Sequence, residues 1–126
     1  MSLNAAVVYQ GSKINTASPA ELTLMMYDGA IKFCNKAIYA IENKDIISRN
    51  LYLQKAQKII VELKSTLDYK YSVSKDFERM YDYIYGCLVE GNVQQNKGLV
   101  EEALKYIREL RDTWKEVMKI NKIFVQ

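Results

Sequence analysis

The chain has 126 residues, of which 49% are hydrophobic and 26% charged, so its composition is that of one globular domain rather than of a disordered segment. One proline and five glycines are too few for the many turns of an all-β protein. The net charge of +3 is small, and basic residues alternate with acidic ones, which argues against a nucleic-acid-binding surface.

Catalytic and metal-binding patterns are scarce in this sequence. Histidine is absent, which excludes a Cys/His zinc site and a histidine-based catalytic triad. There is also no glycine-rich phosphate-binding loop and no dinucleotide-binding motif. We therefore predict that the protein is not an enzyme and has no cofactor. Cys34 and Cys87 fall on apolar helical rows, so we expect both to be buried, reduced thiols.

Membrane insertion is not indicated either. No apolar run approaches the ~20 residues that a membrane-spanning helix needs. The N-terminus lacks the basic start and the apolar core of a signal peptide. These features predict a soluble, cytoplasmic protein without stable membrane insertion.

Residues 1–14 form a short, mildly apolar lead. Within it, Ala5 to Tyr9 is long enough for only one or two helical turns, and Gly11-Ser12 separates this segment from the rest of the chain. Two interpretations stay open, a mobile flap anchored by Tyr9 or a frayed terminus without a role.

The first predicted helix spans about residues 19–43 and begins with a complete N-terminal signal. Ser18 can accept a hydrogen bond from the backbone N–H of Glu21, whose side chain can reach back, and Pro19 suits the first turn. Two adjacent apolar rows follow: Leu24, Tyr27, Ile31, Cys34, Ile38 and Ile41 in one, and Leu22, Met26, Ala30, Phe33, Ala37 and Ala40 in the other. Such a wide stripe indicates that the helix is covered on more than one side.

Three further helices follow, separated by short polar joints. They are predicted at about 46–69, 75–92 and 98–121, with Asp45 capping the second helix and Ser74 the third. Tyr81, Tyr83 and Tyr85 cannot all face one core, so at least one must meet solvent, a helix edge or a ligand. Short joints make neighbouring helices antiparallel, which predicts an all-α, up-down-up-down four-helix bundle as a single domain over residues 1–126.

Three short sequence motifs follow one another along the chain. The first is Asn15-Thr16-Ala17-Ser18-Pro19 with Glu21-Leu22 and Met26-Tyr27-Asp28-Gly29-Ala30, the second is Met80-Tyr81-Asp82-Tyr83 with Leu88 and Asn92, and the third is Asp112-Thr113-Trp114-Lys115. In this order and at this spacing, they resemble the flagellin-export chaperones, the FliS family. The resemblance covers essentially the whole chain.

The resemblance implies a cytoplasmic bundle that binds the C-terminal segment of newly made flagellin. That segment is disordered when free and becomes helical as it wraps the chaperone, so that premature polymerisation is blocked. The loaded chaperone is then recognised by a component of the flagellar type III export gate. The chain departs from the family in two places. Many members have an Arg-Arg pair after the third-helix Tyr-Asp-Tyr, where this chain has Tyr85-Gly86-Cys87, and Thr113 replaces the usual alanine before Trp114.

Periodicity and the resemblance together suggest an apolar groove for the flagellin segment. In the free protein the lead would lie over this groove, and the flagellin tail would displace it. The candidate partner-binding residues are Tyr9, Met26, Tyr27, Ala30, Phe33, Tyr52, Ala56, Ile60, Tyr81, Tyr85 and Leu88. Periodicity does not decide which of them face the groove and which the core. The alternative is a structural or regulatory helical bundle that self-associates, and a homodimer of the free protein stays open.

Overall fold

The computed structural model describes residues 17–121, over which the chain folds into four α-helices. These are α1 (Pro19–Glu42), α2 (Ile46–Ser65), α3 (Ser74–Val93) and α4 (Lys97–Ile120). Each helix packs against the helices before and after it, and α4 returns to pack against α1, so α1 lies diagonally across from α3. The predicted all-α four-helix bundle is confirmed. The predicted lead, residues 1–14, lies outside the described residues.

Helix α1 begins with the capping box that the sequence predicts. Ser18 Oγ accepts a hydrogen bond from the backbone N–H of Glu21 at 3.1 Å, and the Ser18 N–H donates to Glu21 Oε1 at 3.0 Å. Pro19 occupies the first turn, where its missing N–H leaves no bond unmade. Most residues of both apolar rows are buried, because α2 and α4 cover α1 from two sides.

The joints 43–45 and 94–96 have the same construction. In each, the middle residue has a positive φ, 57° at Lys44 and 53° at Gln95. The N–H of the third residue donates to the carbonyl five residues back, at 2.8 Å in the first joint and 2.9 Å in the second. This is the Schellman arrangement, which satisfies the last carbonyls of a helix. The third residue then caps the next helix through its side chain, as predicted for Asp45.

Helix α2 ends at Ser65, earlier than the predicted residue 69. The hydroxyls of Ser65 and Thr66 donate to the carbonyl oxygens of Glu62 and Leu63, at 2.6 and 2.7 Å. The backbone N–H groups of Thr66 and Leu67 also donate to carbonyls three residues back instead of four. These bonds replace the α-helical pattern and end the helix.

The prediction that Ser74 caps α3 is wrong. Val73, the residue before the helix, already has helical backbone angles, and no side chain caps this end. The preceding turn runs straight into the helix, since the Ser74 N–H donates to Tyr71 O at 3.1 Å and the Asp76 N–H to Val73 O at 3.0 Å. Because turn carbonyls accept these bonds, no free N–H is left for a serine cap, and Ser74 is buried instead.

The core lies between the four helices and is mainly aliphatic. Its fully buried side chains include Leu53, Ile59, Ile60, Leu63, Ile84, Leu88, Val100 and Ile107. Cys34 and Cys87 are free and buried, as predicted. Burial raises the pKa of Cys34 from its ordinary 9.0 to about 12, and it also raises the pKa of Cys87. None of the helices between residues 17 and 121 combines the length and hydrophobicity of a bilayer span.

Candidate functional site

One end of the bundle carries an open cleft of about 610 Å³. It lies where α2 stops and the link 66–73 crosses to α3, beside the first turns of α1. All four helices and the link contribute to its lining: Pro19, Ala20, Leu22, Thr23, Met26, Tyr27, Glu62, Thr66, Leu67, Asp68, Tyr71, Val73, Ser74, Phe77, Tyr81 and Trp114. We call it the tyrosine cleft, after its buried residues Tyr27 and Tyr81.

Most of the cleft surface is apolar. Four of its large apolar side chains are only partly buried and pack against the core: Leu22, Leu67, Phe77 and Trp114. At the rim, Tyr71 and Val73 are more than half exposed, at 58% and 53%. The Trp114 Nε1–H donates to Ala20 O at 3.0 Å and so holds the indole against the start of α1. The cleft therefore presents a preformed apolar surface that a partner can cover.

A few polar groups interrupt this apolar surface. The hydroxyl oxygens of Tyr27 and Tyr81 lie 2.6 Å apart, and burial raises the pKa of both phenols, so both stay neutral at physiological pH. The Ser74 hydroxyl is buried nearby in the same lining. Glu62 and Asp68 are the charged residues of the lining, which contains no lysine or arginine.

The chemical character of the lining indicates what the cleft is suited to bind. Within residues 17–121, no group of three or more His, Cys, Asp or Glu is placed to hold a metal ion. An apolar cleft with a few neutral hydroxyls is instead suited to the apolar face of an amphipathic helix, whose side chains at i, i+3 or i+4 and i+7 enter such a groove.

The structure places the predicted partner-binding residues that it describes in four environments, which are the tyrosine cleft, a second groove, the core and the exposed surface of α3. Met26, Tyr27 and Tyr81 line the tyrosine cleft. Tyr52 is half-buried and lines a second groove of about 460 Å³ between α1 and α2, at the end of the bundle that holds the joint 43–45. The Tyr52 ring stacks on buried Phe33, with their centroids 6.0 Å apart.

The other predicted residues do not lie in either groove. Four of them are buried in the core, where a partner would reach them only if the helices separated: Ala30, Ala56, Ile60 and Leu88. Tyr85 is 39% exposed on the surface of α3. Tyr9 lies outside the described residues.

Sequence reasoning missed much of the cleft wall, namely Leu22, Leu67, Phe77 and Trp114. A usable signal was present, because Leu22 and Phe77 are apolar residues in the first turns of α1 and α3. In an up-down-up-down bundle these two helices begin at the same end. These positions indicate a cleft only once it is known that α2 ends early, at Ser65.

Comparison with known proteins agrees with the sequence motifs. The family model "Flagellar protein FliS" matches residues 2–121. The flagellar secretion chaperone FliS of Bacillus subtilis is 42% identical over 116 residues, which cover 92% of this chain and 87% of that protein. Its counterpart in Campylobacter jejuni is 30% identical over 111 residues, covering 86% and 87%, and that of Salmonella typhimurium is 28% identical over 109 residues, covering 84% and 81%. A match of this length and identity shows that the chain belongs to the FliS family of flagellar secretion chaperones.

Proposed function

We propose that this protein is a cytoplasmic, non-enzymatic export chaperone that binds the disordered C-terminal segment of flagellin. Covering that segment prevents premature polymerisation, and the complex is delivered to the flagellar type III export apparatus. The observation that carries this proposal is the tyrosine cleft, a preformed apolar groove in a chain whose relatives are named flagellar secretion chaperones.

The cleft is suited to anchoring one part of the flagellin segment. Its volume of about 610 Å³ lies within the roughly 300–1,000 Å³ of typical binding pockets. Partly exposed Leu22, Phe77 and Trp114 lose contact with water when a helix covers them, at about 25 cal/mol per Å² of apolar surface. This gain in free energy from burying apolar surface favours an apolar side chain of the partner as the anchor.

The cleft alone is too small to order a disordered segment. Coupled folding typically buries roughly 1,000–3,000 Å², so the segment must continue over other surfaces of the bundle. The second groove, with Tyr39 and Tyr52, lies farther along α1. Since α1 has 24 residues and is therefore about 36 Å long, a helical segment running along it can contact both grooves.

We also propose that the N-terminal lead covers the cleft in the free protein and that flagellin displaces it. Pro19 and Ala20, at the start of α1, line the cleft, and this supports the proposal. Deleting residues 1–10, including Tyr9, should raise the binding of an apolar dye and change flagellin affinity in isothermal titration calorimetry. If both measurements match the full chain, the flap idea is rejected.

The proposed function is tested with a peptide of the C-terminal segment of flagellin from the same organism. Val73→Asp places a charge on the cleft rim at an exposed position before α3, where a negative charge suits the helix dipole, so folding should be unaffected. We expect wild-type protein to bind and Val73→Asp to bind at least about tenfold more weakly, or ~1.4 kcal/mol. Calorimetry of both proteins makes the measurement.

Ile47→Asp is the matched control. Ile47 is also an exposed aliphatic residue in a first helical turn, 82% exposed, but it lies at the start of α2 beside the joint 43–45. Ile47 lines neither the tyrosine cleft nor the second groove, so its substitution should leave the affinity unchanged. A folded wild-type protein that does not bind the peptide would refute the proposed function, and equal losses in both variants would refute the cleft as the binding site.

A self-associating module is the second candidate function. It is favoured by exposed apolar side chains near the two joints, namely Ile46, Ile47 and Val93. This candidate predicts a homodimer that the Ile47→Asp substitution disrupts, together with no flagellin binding. Sedimentation velocity of wild type and variant at micromolar concentration distinguishes it from the chaperone.

A further inference from the structure

Ser74 is an exception to the hydrogen-bonding pattern of the bundle. Only 3% of the residue is exposed, and its Oγ has no hydrogen-bond partner anywhere in residues 17–121. A buried hydroxyl without a partner destabilises a protein, whereas alanine would suit this helical position without that cost. Ser74 does not cap the helix that it begins, so capping does not account for the hydroxyl.

The Tyr27–Tyr81 pair likewise has more hydroxyl protons than hydrogen bonds. The two phenol groups share one hydrogen bond of 2.6 Å, which uses only one of their two protons. The structure between residues 17 and 121 gives the second proton no acceptor. The cleft lining thus holds two hydroxyl donors that no residue between 17 and 121 uses, one on Ser74 and one on the tyrosine pair.

These donors share one face of α3. Ser74, Phe77 and Tyr81 have the spacing i, i+3 and i+7, and all three line the cleft. Phe77 separates the two hydroxyl groups, and its ring lies 6.3 Å from that of Tyr81. The serine hydroxyl can turn toward the cleft by rotation about χ1, which has three staggered positions. A helix that packs on this face meets an apolar centre with a hydrogen-bond donor on either side.

The charges around the cleft restrict which acceptor can enter. Glu62 and Asp68 line it, and no lysine or arginine does. Asp68 is already paired with Lys70, at 3.7 Å. A carboxylate of the partner would therefore lose its hydration in this lining without gaining a lysine or arginine as its counter-charge. An amide or hydroxyl oxygen accepts the same hydrogen bond without this penalty.

We infer that the bound flagellin segment carries an uncharged polar side chain, an amide or a hydroxyl, whose oxygen accepts a hydrogen bond from Ser74. This inference rests on the proposed function and adds the chemistry of one contact to it. Apolar packing alone specifies register weakly, because similar side chains can exchange places along a helix. A buried donor that must be matched penalises every register that leaves it unpaired. Ser74 is therefore a positioning residue for the flagellin segment.

Ser74→Ala separates this role from a merely structural one, because it should change stability and affinity in opposite ways. The free variant should unfold at a higher urea concentration, since a buried unpaired hydroxyl is gone. Its dissociation constant for the flagellin peptide should rise roughly three- to tenfold, the range of one net hydrogen bond. Thr113→Ala is the matched control, because it also removes one hydroxyl but Thr113 is exposed on α4 and does not line the cleft, and its affinity should be unchanged.

A double-mutant cycle identifies the acceptor. Each Asn, Gln, Ser and Thr of the peptide is replaced by alanine in turn and titrated into wild type and Ser74→Ala. One replacement should weaken binding to wild type and have no effect on binding to the variant. If the peptide binds wild type but no replacement couples to Ser74, the inference is overturned and the proposed function stands. If wild type does not bind the peptide at all, the proposed function itself has failed.

Discussion

The hydroxyl contact between Tyr27 and Tyr81 connects two helices that are not neighbours in the bundle. Helices α1 and α3 lie on a diagonal, and these residues are 54 positions apart in the chain. Both side chains are almost fully buried, at 2% and 3% exposure. A short hydrogen bond in such surroundings is stronger than in water, and losing one partner leaves the other hydroxyl unpaired.

Removing both hydroxyls of this pair should therefore cost less stability than the sum of the two single removals. Tyr27→Phe and Tyr81→Phe should each lower the free energy of unfolding by about 1–2 kcal/mol, because each leaves the other phenol without its hydrogen-bond partner. The double variant should lose about 1 kcal/mol less than the sum of the two single losses. Urea unfolding of the four proteins makes the measurement. Tyr85→Phe, at an exposed position, serves as the control, and strictly additive losses would contradict the interaction.

The sequence predicts that the three tyrosines of α3 cannot all face the core, but it does not predict which of them is buried. Because Tyr81, Tyr83 and Tyr85 occupy different faces of one helix, at least one had to leave the core, and the structure buries Tyr81 while exposing the other two. Which one is buried depends on the rotation of α3 within the bundle. The partner of Tyr81 comes from another helix, so periodicity within α3 carries no information about it.

At the scale of elements, the close approach of α3 and α4 near the joint 94–96 depends on a glycine. A Cβ built at Gly91 would lie 2.9 Å from Val100 Cγ2 and 3.4 Å from Asn96 O. By contrast, a Cβ built at Gly86, in the middle of the same helix, meets no atom within 4 Å. The two glycines thus share a helix and differ in their surroundings.

Alanine substitution at these two positions should have opposite effects. Gly86→Ala should raise the free energy of unfolding by about 0.5–1 kcal/mol, because alanine restricts the unfolded chain and favours helix. Gly91→Ala gains the same preference but must push α4 away, so it should be destabilising by roughly 1–3 kcal/mol. Thermal unfolding followed by circular dichroism compares them. Stabilisation by both substitutions would mean that α3 and α4 are not in close contact here.

Helix ends were predictable where a side chain makes the cap. Ser18 and Asp45 act at the positions that the sequence indicates, because a short polar residue before an apolar row has one favourable role there. Ser74 has the same local pattern, but a turn at 71–73 already satisfies the first N–H groups of α3. The competing hydroxyl bonds of Ser65 and Thr66 likewise end α2 early, which helix propensity does not foresee.

At the scale of the whole molecule, the two ends of the bundle differ in how the chain turns. The joints 43–45 and 94–96 are three residues long and hold their helices tightly at one end. At the other end the longer link 66–73 and the early end of α2 leave the tyrosine cleft open. The apolar periodicity of α1 and its neighbours is enough to predict four packed helices. It does not predict the cleft, because core and cleft residues such as Ala30 and Met26 fall on the same row.

The buried thiol of Cys34 and the buried phenols of Tyr27 and Tyr81 make the stability of the whole bundle depend on pH in the alkaline range. The folded state raises the pKa of Cys34 from 9.0 to about 12, chiefly because burial disfavours the thiolate, and burial raises the pKa of Tyr27 and Tyr81 as well. Between the unfolded and folded pKa values, unfolding releases these protons. Stability from these groups is therefore fully present below about pH 9 and is lost as pH rises through the folded pKa values.

We expect the free energy of unfolding to be insensitive to these groups between pH 7 and 8, and to fall above pH 9 by ~1.4 kcal/mol per pH unit for each proton released. Cys34→Ala should be less stable at pH 7, because it leaves a small cavity, but its stability should decline less steeply between pH 9 and 10, where the thiol contributes most. Urea unfolding at half-unit pH intervals measures both slopes. If Cys34→Ala keeps the wild-type slope, the thiol is already ionised in the folded protein, and the tight packing of α1 against its neighbours would have to be reconsidered.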